Sequence, residues 1–375
     1  MATLYLHVGT HKTGSTYLQN YLKRNVAGLR AQGWSYPDFI DGANHLSLPF
    51  IFEGRITPFY QVVGLGDAAS LAAAKQRWID GLTTNVRSDS RWIITSEFLT
   101  RRFVRPEQVE ALIDFLRCWF DEIVVVAYIR RQEYILPSIY SQDVKAGRQL
   151  DWSWNYCQAR FPTIDYSEIY DLWNNVDGVD EVRFVPFIES NKSNTRALLD
   201  QFSEMTGIAF RPDWVKPVPR KSNRSLSVEG VAFLRAINPH LPRITSEGRS
   251  NRPFRGRVVE RIMDLTPGPT FNPADDIIEH VHQHFLASNR AVIDKLPTNP
   301  DWGKWLAQPT HDDKPQALVP SLTAARTADL MIALSQPTGP VAWGEKDKRP
   351  IRPVPLRRIA KQKVRSGLQK VTKLK

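Results

Sequence analysis

The first two dozen residues constrain the fold more than any other stretch. Leu4, Tyr5, Leu6 and Val8 form a short apolar run that reads as a buried parallel strand, and Gly9 ends it. Tyr17, Leu18, Tyr21, Leu22 and Val26 then recur at helical spacing. Between them lies Thr10-His11-Lys12-Thr13, closed by Gly14 and followed by Ser15 and Thr16. A glycine-bounded loop between a strand and a helix gathers backbone N–H groups and the positive end of the helix dipole, which suits an anionic phosphate. Such a start predicts an α/β protein with a P-loop-like parallel sheet and helices on both faces.

The loop is not an ordinary nucleotide-triphosphatase loop. That pattern, G-x-x-x-x-G-K-[ST], needs lysine directly after the second glycine. Here Gly9 and Gly14 have the right spacing, but Ser15 stands at that place and the lysine has moved inside, to Lys12. No acidic partner for Mg²⁺ is evident. The run His11-Lys12-Thr13-Gly14-Ser15-Thr16 resembles the 5′-phosphosulfate loop of sulfotransferases that use 3′-phosphoadenosine 5′-phosphosulfate (PAPS). It is similar to the bacterial, carbohydrate-type branch, where many relatives carry proline at the His11 position. The resemblance implies that Lys12 neutralises charge on the bridging oxygen of the leaving group. It also implies that the Thr13, Gly14, Ser15 and Thr16 amides, with the Ser15 and Thr16 hydroxyls, hold the 5′-phosphate. It spans roughly residues 1–300 on domain-size grounds.

Further along, Trp92–Thr95 reads as a second strand, ending in Ser96-Glu97. A carboxylate just past the carboxyl end of a parallel strand lies on the ligand side of the sheet. In the cytosolic branch of the resembled family a strand in this position delivers a catalytic histidine, and in several carbohydrate-modifying branches the base is a glutamate. Glu97 resembles that base. His45, in a segment from Trp34 onward that reads as loop, is the alternative. Arg101 and Arg102 follow as contacts for an anionic acceptor or as solvated side chains. Ile123–Ile129 is the clearest strand, apolar throughout and therefore central. It ends in Arg130, with Ser138 eight residues on at the expected start of another helix, and this pair resembles the family's 3′-phosphate motif. A guanidinium forks onto phosphate oxygens and a serine hydroxyl adds a hydrogen bond. Arg131 is the fallback if the register is off by one. Lys221, Ser222 and Asn223, in a basic loop, match the place of the family's late loop over the 3′-phosphate and adenine.

Helices are expected over residues 68–87, 106–120, 193–206, 228–237 and 321–334. An edge strand is expected over 182–187, because Pro186 cannot donate a ladder bond. The aromatic segment 139–165 suits a core or the cover of an acceptor cleft. His280 and His284 share a helix face, but no third ligand accompanies them and sulfuryl transfer needs none, so no metal is expected.

The formal net charge is +11. Residues 346–375 hold 12 Lys+Arg and one acidic residue, leaving 38 basic and 38 acidic residues elsewhere. The basicity therefore belongs to a tail, which argues against nucleic acid as partner of the fold. From Leu356 onward an apolar stripe runs along this basic stretch, so it reads as an amphipathic helix at an anionic membrane surface or as a disordered tail. The expected organisation is a sulfotransferase domain over 1–305, a proline-broken extension over 306–345 and the tail over 346–375. Two cysteines and an N-terminus without a secretory pattern predict a cytoplasmic, bacterial-type enzyme, peripheral at the inner membrane face through its tail. The expected reaction is PAPS-dependent sulfation of a hydroxyl on a saccharide. The competing readings are a P-loop small-molecule kinase using ATP and an anionic-polymer binder acting through the tail.

Overall fold

A computed structural model describes residues 1–40, 42–57, 60–61, 63–187, 195–217, 225–243, 251–273, 276–307 and 322–336. Five strands build one parallel sheet: β1 (Thr3–Gly9), β2 (Trp34–Ser35), β3 (Arg91–Thr95), β4 (Glu122–Ile129) and β5 (Glu181–Pro186). Their spatial order is β2-β3-β1-β4-β5. The chain starts in the middle, moves to one side for β2 and β3, and crosses over for β4 and β5. Such a reversal opens a crevice at the carboxyl ends of the central strands.

Between the strands run α1 (Ser15–Arg24), α2 (Val26–Arg30), α3 (Ser47–Phe52), α4 (Ala68–Asn85), α5 (Phe98–Arg102), α6 (Pro106–Arg117), α7 (Gln132–Lys145), α8 (Trp154–Gln158) and α9 (Tyr166–Asn174). After β5 come α10 (Thr195–Thr206), α11 (Val228–Ile237), α12 (Arg252–Leu265), α13 (Asp276–Asp294), α14 (Trp302–Leu306) and α15 (Ala324–Ser335).

The period-two alternation of strands sends successive side chains to opposite faces. On β4, Ile123, Val125, Ala127 and Ile129 join one core with Trp78, Leu112, Tyr166 and Trp173 from α4, α6 and α9. Val124, Val126 and Tyr128 join the other, with Leu18 and Leu22 of α1 and Leu198 and Phe202 of α10. Because both faces are covered, β4 can be apolar at nearly every position. Each fully buried Val, Leu or Ile contributes about 1.5–3 kcal/mol.

Two local expectations change. Trp34-Ser35, read as loop, adds to β3 as a two-residue edge strand. Trp34 is buried, with the Arg91 guanidinium 4.6 Å from its ring centre and Tyr5 against its edge, so tertiary contacts fix the pairing. Ser138 does not open a helix. α7 begins at Gln132, two residues after Arg130, which places Ser138 half-buried in its second turn.

The described chain forms two compact units. The sheet, Lys12, Glu97 and Arg130 belong to the first, which comprises Met1–Tyr140, Asp151–Asn223 and Asn272–Gln316. The second comprises the described residues within Ser141–Leu150, Arg224–Phe271 and Ala317–Lys375. Within it, the buried Arg255 guanidinium donates to the carbonyls of Val144, Lys145 and Leu241 and to Asn238 Oδ1. Burial lowers the pKa of this guanidinium to about 10. No helix among the described residues is long and apolar enough to cross a membrane.

Candidate active site

Three adjacent strand ends converge. β3 ends in Ser96-Glu97, β1 in the Gly9–Gly14 loop, and β4 in Arg130. Ser96 N–H continues the ladder by donating to the His7 carbonyl at 2.9 Å, which holds Glu97 beside the loop. A β-carbon on Gly9 (φ 123°) would lie 3.1 Å from Thr100 Oγ1 and 3.2 Å from Glu97 Cα, so only glycine lets the two segments approach this closely.

The loop is tied to β4. Thr10 donates to the Tyr128 carbonyl through both its amide and its hydroxyl, each at 3.0 Å. Thr13 Oγ1 donates to the Thr10 carbonyl at 2.5 Å. Gly14 turns left-handed at φ 80° to start α1, and its carbonyl accepts from the Tyr17 and Leu18 amides. The geometry of a first helical turn leaves the Ser15 and Thr16 amides without intrahelical acceptors. Lys12 is itself left-handed at φ 68°, a conformation that a residue with a β-carbon rarely adopts.

Arg130 meets the loop directly: its Nη1 donates to the Lys12 carbonyl at 3.0 Å. Tyr166 fixes the arginine's backbone. Its hydroxyl accepts from the Arg130 amide and donates to the Arg130 carbonyl. Trp305 Nε1 donates to the Ile129 carbonyl at 3.0 Å, pinning the strand end as well.

His11 reports the local field. The residue is 7% exposed, and its Nδ1 has no hydrogen-bond partner among the described residues. Burial, followed by Arg101, Lys12, Arg130 and Arg160, holds its pKa well below the ordinary histidine value. Four cationic side chains thus act on one neutral ring. Three of them, Lys12, Arg101 and Arg130, were named from sequence, Arg101 as an acceptor contact or a solvated side chain. Arg160 was missed because no motif marks it. It arrives through the Phe161–Thr163 turn, which packs against α5, and its guanidinium lies 3.4 Å from the Tyr156 ring centre.

Glu97 feels two of the same cations, Arg101 and Lys12. It is partly open to solvent, and its Oε2 accepts from Gln19 Nε2 at 2.6 Å. Burial raises its pKa, against the opposing influence of Gln19, its own backbone amide, Arg101 and Lys12. His45 lies in the interior beside Tyr36 and Trp78 and is fully buried. Its Nδ1 accepts from the Thr95 amide at 3.0 Å, and burial pushes its pKa down to about 3.

The neighbouring arginines divide. Arg102 donates to both oxygens of the buried Glu53, which Tyr60 also contacts, so its guanidinium is anchored to a buried carboxylate. Arg131, the fallback for Arg130, is locked in a buried triad. Its Nη2 lies 2.6 Å from Glu133 Oε1 and 2.7 Å from His282 Nδ1. His280 packs against Trp154 and His284 on Phe161. Among the described residues no group of three or more His, Cys, Asp or Glu is arranged to hold a metal. Lys221, Ser222, Asn223 and the tail 346–375 lie outside the described residues.

No family model matches the chain, and no curated protein matches it. Among solved structures it is similar to a sulfotransferase from Alicyclobacillus acidocaldarius, at 15% identity and a TM-score of 0.37, over 62% of this chain and 91% of that one. It is also similar to the sulfotransferase domain from the curacin biosynthetic pathway, at 12% identity and a TM-score of 0.37, over 75% of this chain and 96% of that one.

Proposed function

We propose that the protein transfers a sulfuryl group from PAPS to a hydroxyl acceptor, a saccharide by resemblance, as a bacterial cytoplasmic enzyme. The observation that carries this reading is the Arg130–Lys12 contact at 3.0 Å, which joins the loop after β1 to the end of β4. Two cations at adjacent strand ends suit a ligand with phosphate at both ends of one nucleoside.

In this reading the Gly14, Ser15 and Thr16 segment and Thr13 hold the 5′-phosphate. Arg130 and Ser138 hold the 3′-phosphate, and Lys221, Ser222 and Asn223 close over it. The bound donor supplies an activated sulfuryl group. Glu97 accepts the proton of the acceptor hydroxyl as its oxygen bonds to sulfur. The bond from sulfur to the bridging oxygen breaks, and Lys12 meets the charge left on that oxygen, so that 3′,5′-diphosphoadenosine departs. The raised pKa of Glu97 suits a proton acceptor. Its position beside the loop favours it over His45, which is sealed in the interior. As in phosphoryl transfer, most of the work is positioning and charge stabilisation. The basic tail would supply peripheral contact with an anionic membrane surface.

Calorimetric titration tests the donor site. 3′,5′-Diphosphoadenosine should bind the wild type and bind Arg130→Ala at least about tenfold more weakly. Equal affinities would remove Arg130 from the 3′-phosphate role. Tighter binding of ATP with Mg²⁺ would favour a kinase instead.

A further inference from the structure

The buried face of α1 carries a polar residue that packing alone does not explain. Gln19 is 2% exposed, and both hydrogens of its amide nitrogen have acceptors. One reaches Glu97 Oε2 at 2.6 Å and the other Thr95 Oγ1 at 3.2 Å. Thr95 Oγ1 in turn lies 2.8 Å from His7 Nδ1. An amide N–H only donates, so the Thr95 oxygen accepts from Gln19, and it keeps a lone pair and a hydrogen with which to meet the His7 ring in either tautomer. Burial lowers the pKa of His7 to about 4, which keeps the ring neutral. A carboxylate oxygen only accepts, so the ionised Glu97 sets the Gln19 amide with nitrogen, not oxygen, toward it.

We propose that Gln19 is the positioning residue of Glu97: its amide grips Oε2 from α1 and leaves the second carboxylate oxygen for the acceptor hydroxyl. The inference rests on the reading of Glu97 as the proton acceptor. A carboxylate on a loop otherwise spends rotamer entropy at each turnover, and a fixed one is aligned before the acceptor arrives. α1 then serves both halves of the reaction. Its N-terminus at Ser15 faces the donor phosphate, and Gln19, about 6 Å further along the axis, holds the base. The distance between donor and base is thereby set by one turn of one helix.

The other charged or titratable groups that act on Glu97 are Arg101 in the helix after it, Lys12 in the loop and Tyr36 beyond β2. All three remain in the variants Gln19→Leu, Gln19→Glu and Thr95→Val. In each, the Glu97 carboxyl is titrated by ¹³C NMR, its signal assigned by loss in Glu97→Gln. Binding of 3′,5′-diphosphoadenosine is measured in parallel. Gln19→Leu should raise the Glu97 midpoint by about one pH unit, the size expected for a lost hydrogen bond to a charged acceptor. Its nucleotide affinity should stay within about threefold of wild type. Gln19→Glu should raise the midpoint further, and Thr95→Val less than either, because the Gln19–Glu97 contact survives there. An unchanged midpoint in whichever Gln19 variant folds overturns the proposal. If the wild type fails to bind the nucleotide, the donor reading falls, while the titration still decides whether Gln19 holds Glu97.

Discussion

The Arg130 guanidinium donates to the backbone carbonyl of Lys12 at 3.0 Å, so a side chain from one strand end fixes the loop of its neighbour. The contact uses the lysine's main chain, not its ammonium. Replacing Arg130 therefore disturbs the loop as well as removing a charge. Replacing Lys12 removes the charge and keeps the acceptor carbonyl. Lys12→Ala is expected to lower turnover of labelled PAPS by at least about a hundredfold, the usual scale for losing one transition-state contact. Affinity for 3′,5′-diphosphoadenosine should fall by less than about tenfold. Comparable losses in both would make Lys12 a ground-state binder.

Gly14→Ala is expected to destabilise the protein and weaken nucleotide binding together. The new β-carbon would lie 2.8 Å from Leu198 Cδ2, at a backbone φ of 80°. Strain and overpacking together cost about 2–4 kcal/mol. Leu198→Ala is itself a core truncation, so the comparison is made in that background: there the clash is gone and Gly14→Ala should cost only the backbone strain, less than it costs in the wild type. No loss of melting temperature in that background would mean that the left-handed turn costs nothing.

Glu97→Gln separates stability from chemistry. Because folding raises the carboxyl's pKa, the native state binds its proton more tightly than the unfolded chain does. The carboxyl favours folding below its unfolded pKa, and that contribution is lost as pH rises through the folded value. At neutral pH the glutamine variant should therefore melt at or above the wild-type temperature. It should bind nucleotide normally and lose at least about a hundredfold in turnover. Retained turnover would remove Glu97 as proton acceptor.

The buried histidines act in the opposite direction. His7 titrates at about 4 and His45 at about 3, against an ordinary value of 6.5. The unfolded chain takes up these protons first, so stability should fall as pH drops from 6.5 through 4 toward 3. Urea unfolding between pH 7 and 4 measures this slope. A flat profile would place both rings in contact with water.

Arg131→Ala should behave as a core mutation. Removing one member of the buried Arg131–Glu133–His282 set leaves the Glu133 carboxylate without its guanidinium, a cost of about 3–5 kcal/mol. Nucleotide affinity of the folded fraction should be unchanged. A loss matching that of Arg130→Ala would reassign the 3′-phosphate contact.

The parts of the fold legible in the sequence are those in which local pattern and burial agree. β4 is apolar at nearly every position because helices cover both faces, and its limits can be read directly. α11 was expected at its observed bounds, since Ser227 caps it by accepting from the Gly230 amide at 3.0 Å. β2 was illegible because two residues carry no period, and Trp34 is placed by Arg91 and Tyr5. At the candidate site, the loop and Arg130 stand out because each follows a recognisable strand. Gln19 looks like any polar residue on a helix until the partner of its amide is known. Arg160 is two elements away from anything resembling a motif.

The adjacent pair Arg101 and Arg102 carries a consequence for variation. Successive residues on a helix are rotated by about 100°, so Arg102 enters the Glu53 and Tyr60 cluster while Arg101 acts on His11 and Glu97. A single-residue deletion at Leu99 or Thr100 would turn both by about 100° and carry Arg102 into the place Arg101 now holds. The guanidinium now anchored to Glu53 would turn toward His11 and Glu97, Arg101 would move to the place of Thr100, and the buried Glu53 would lose the Arg102 pair. Loss of one residue in this segment would therefore change the charge beside Glu97 and loosen a buried carboxylate in one step.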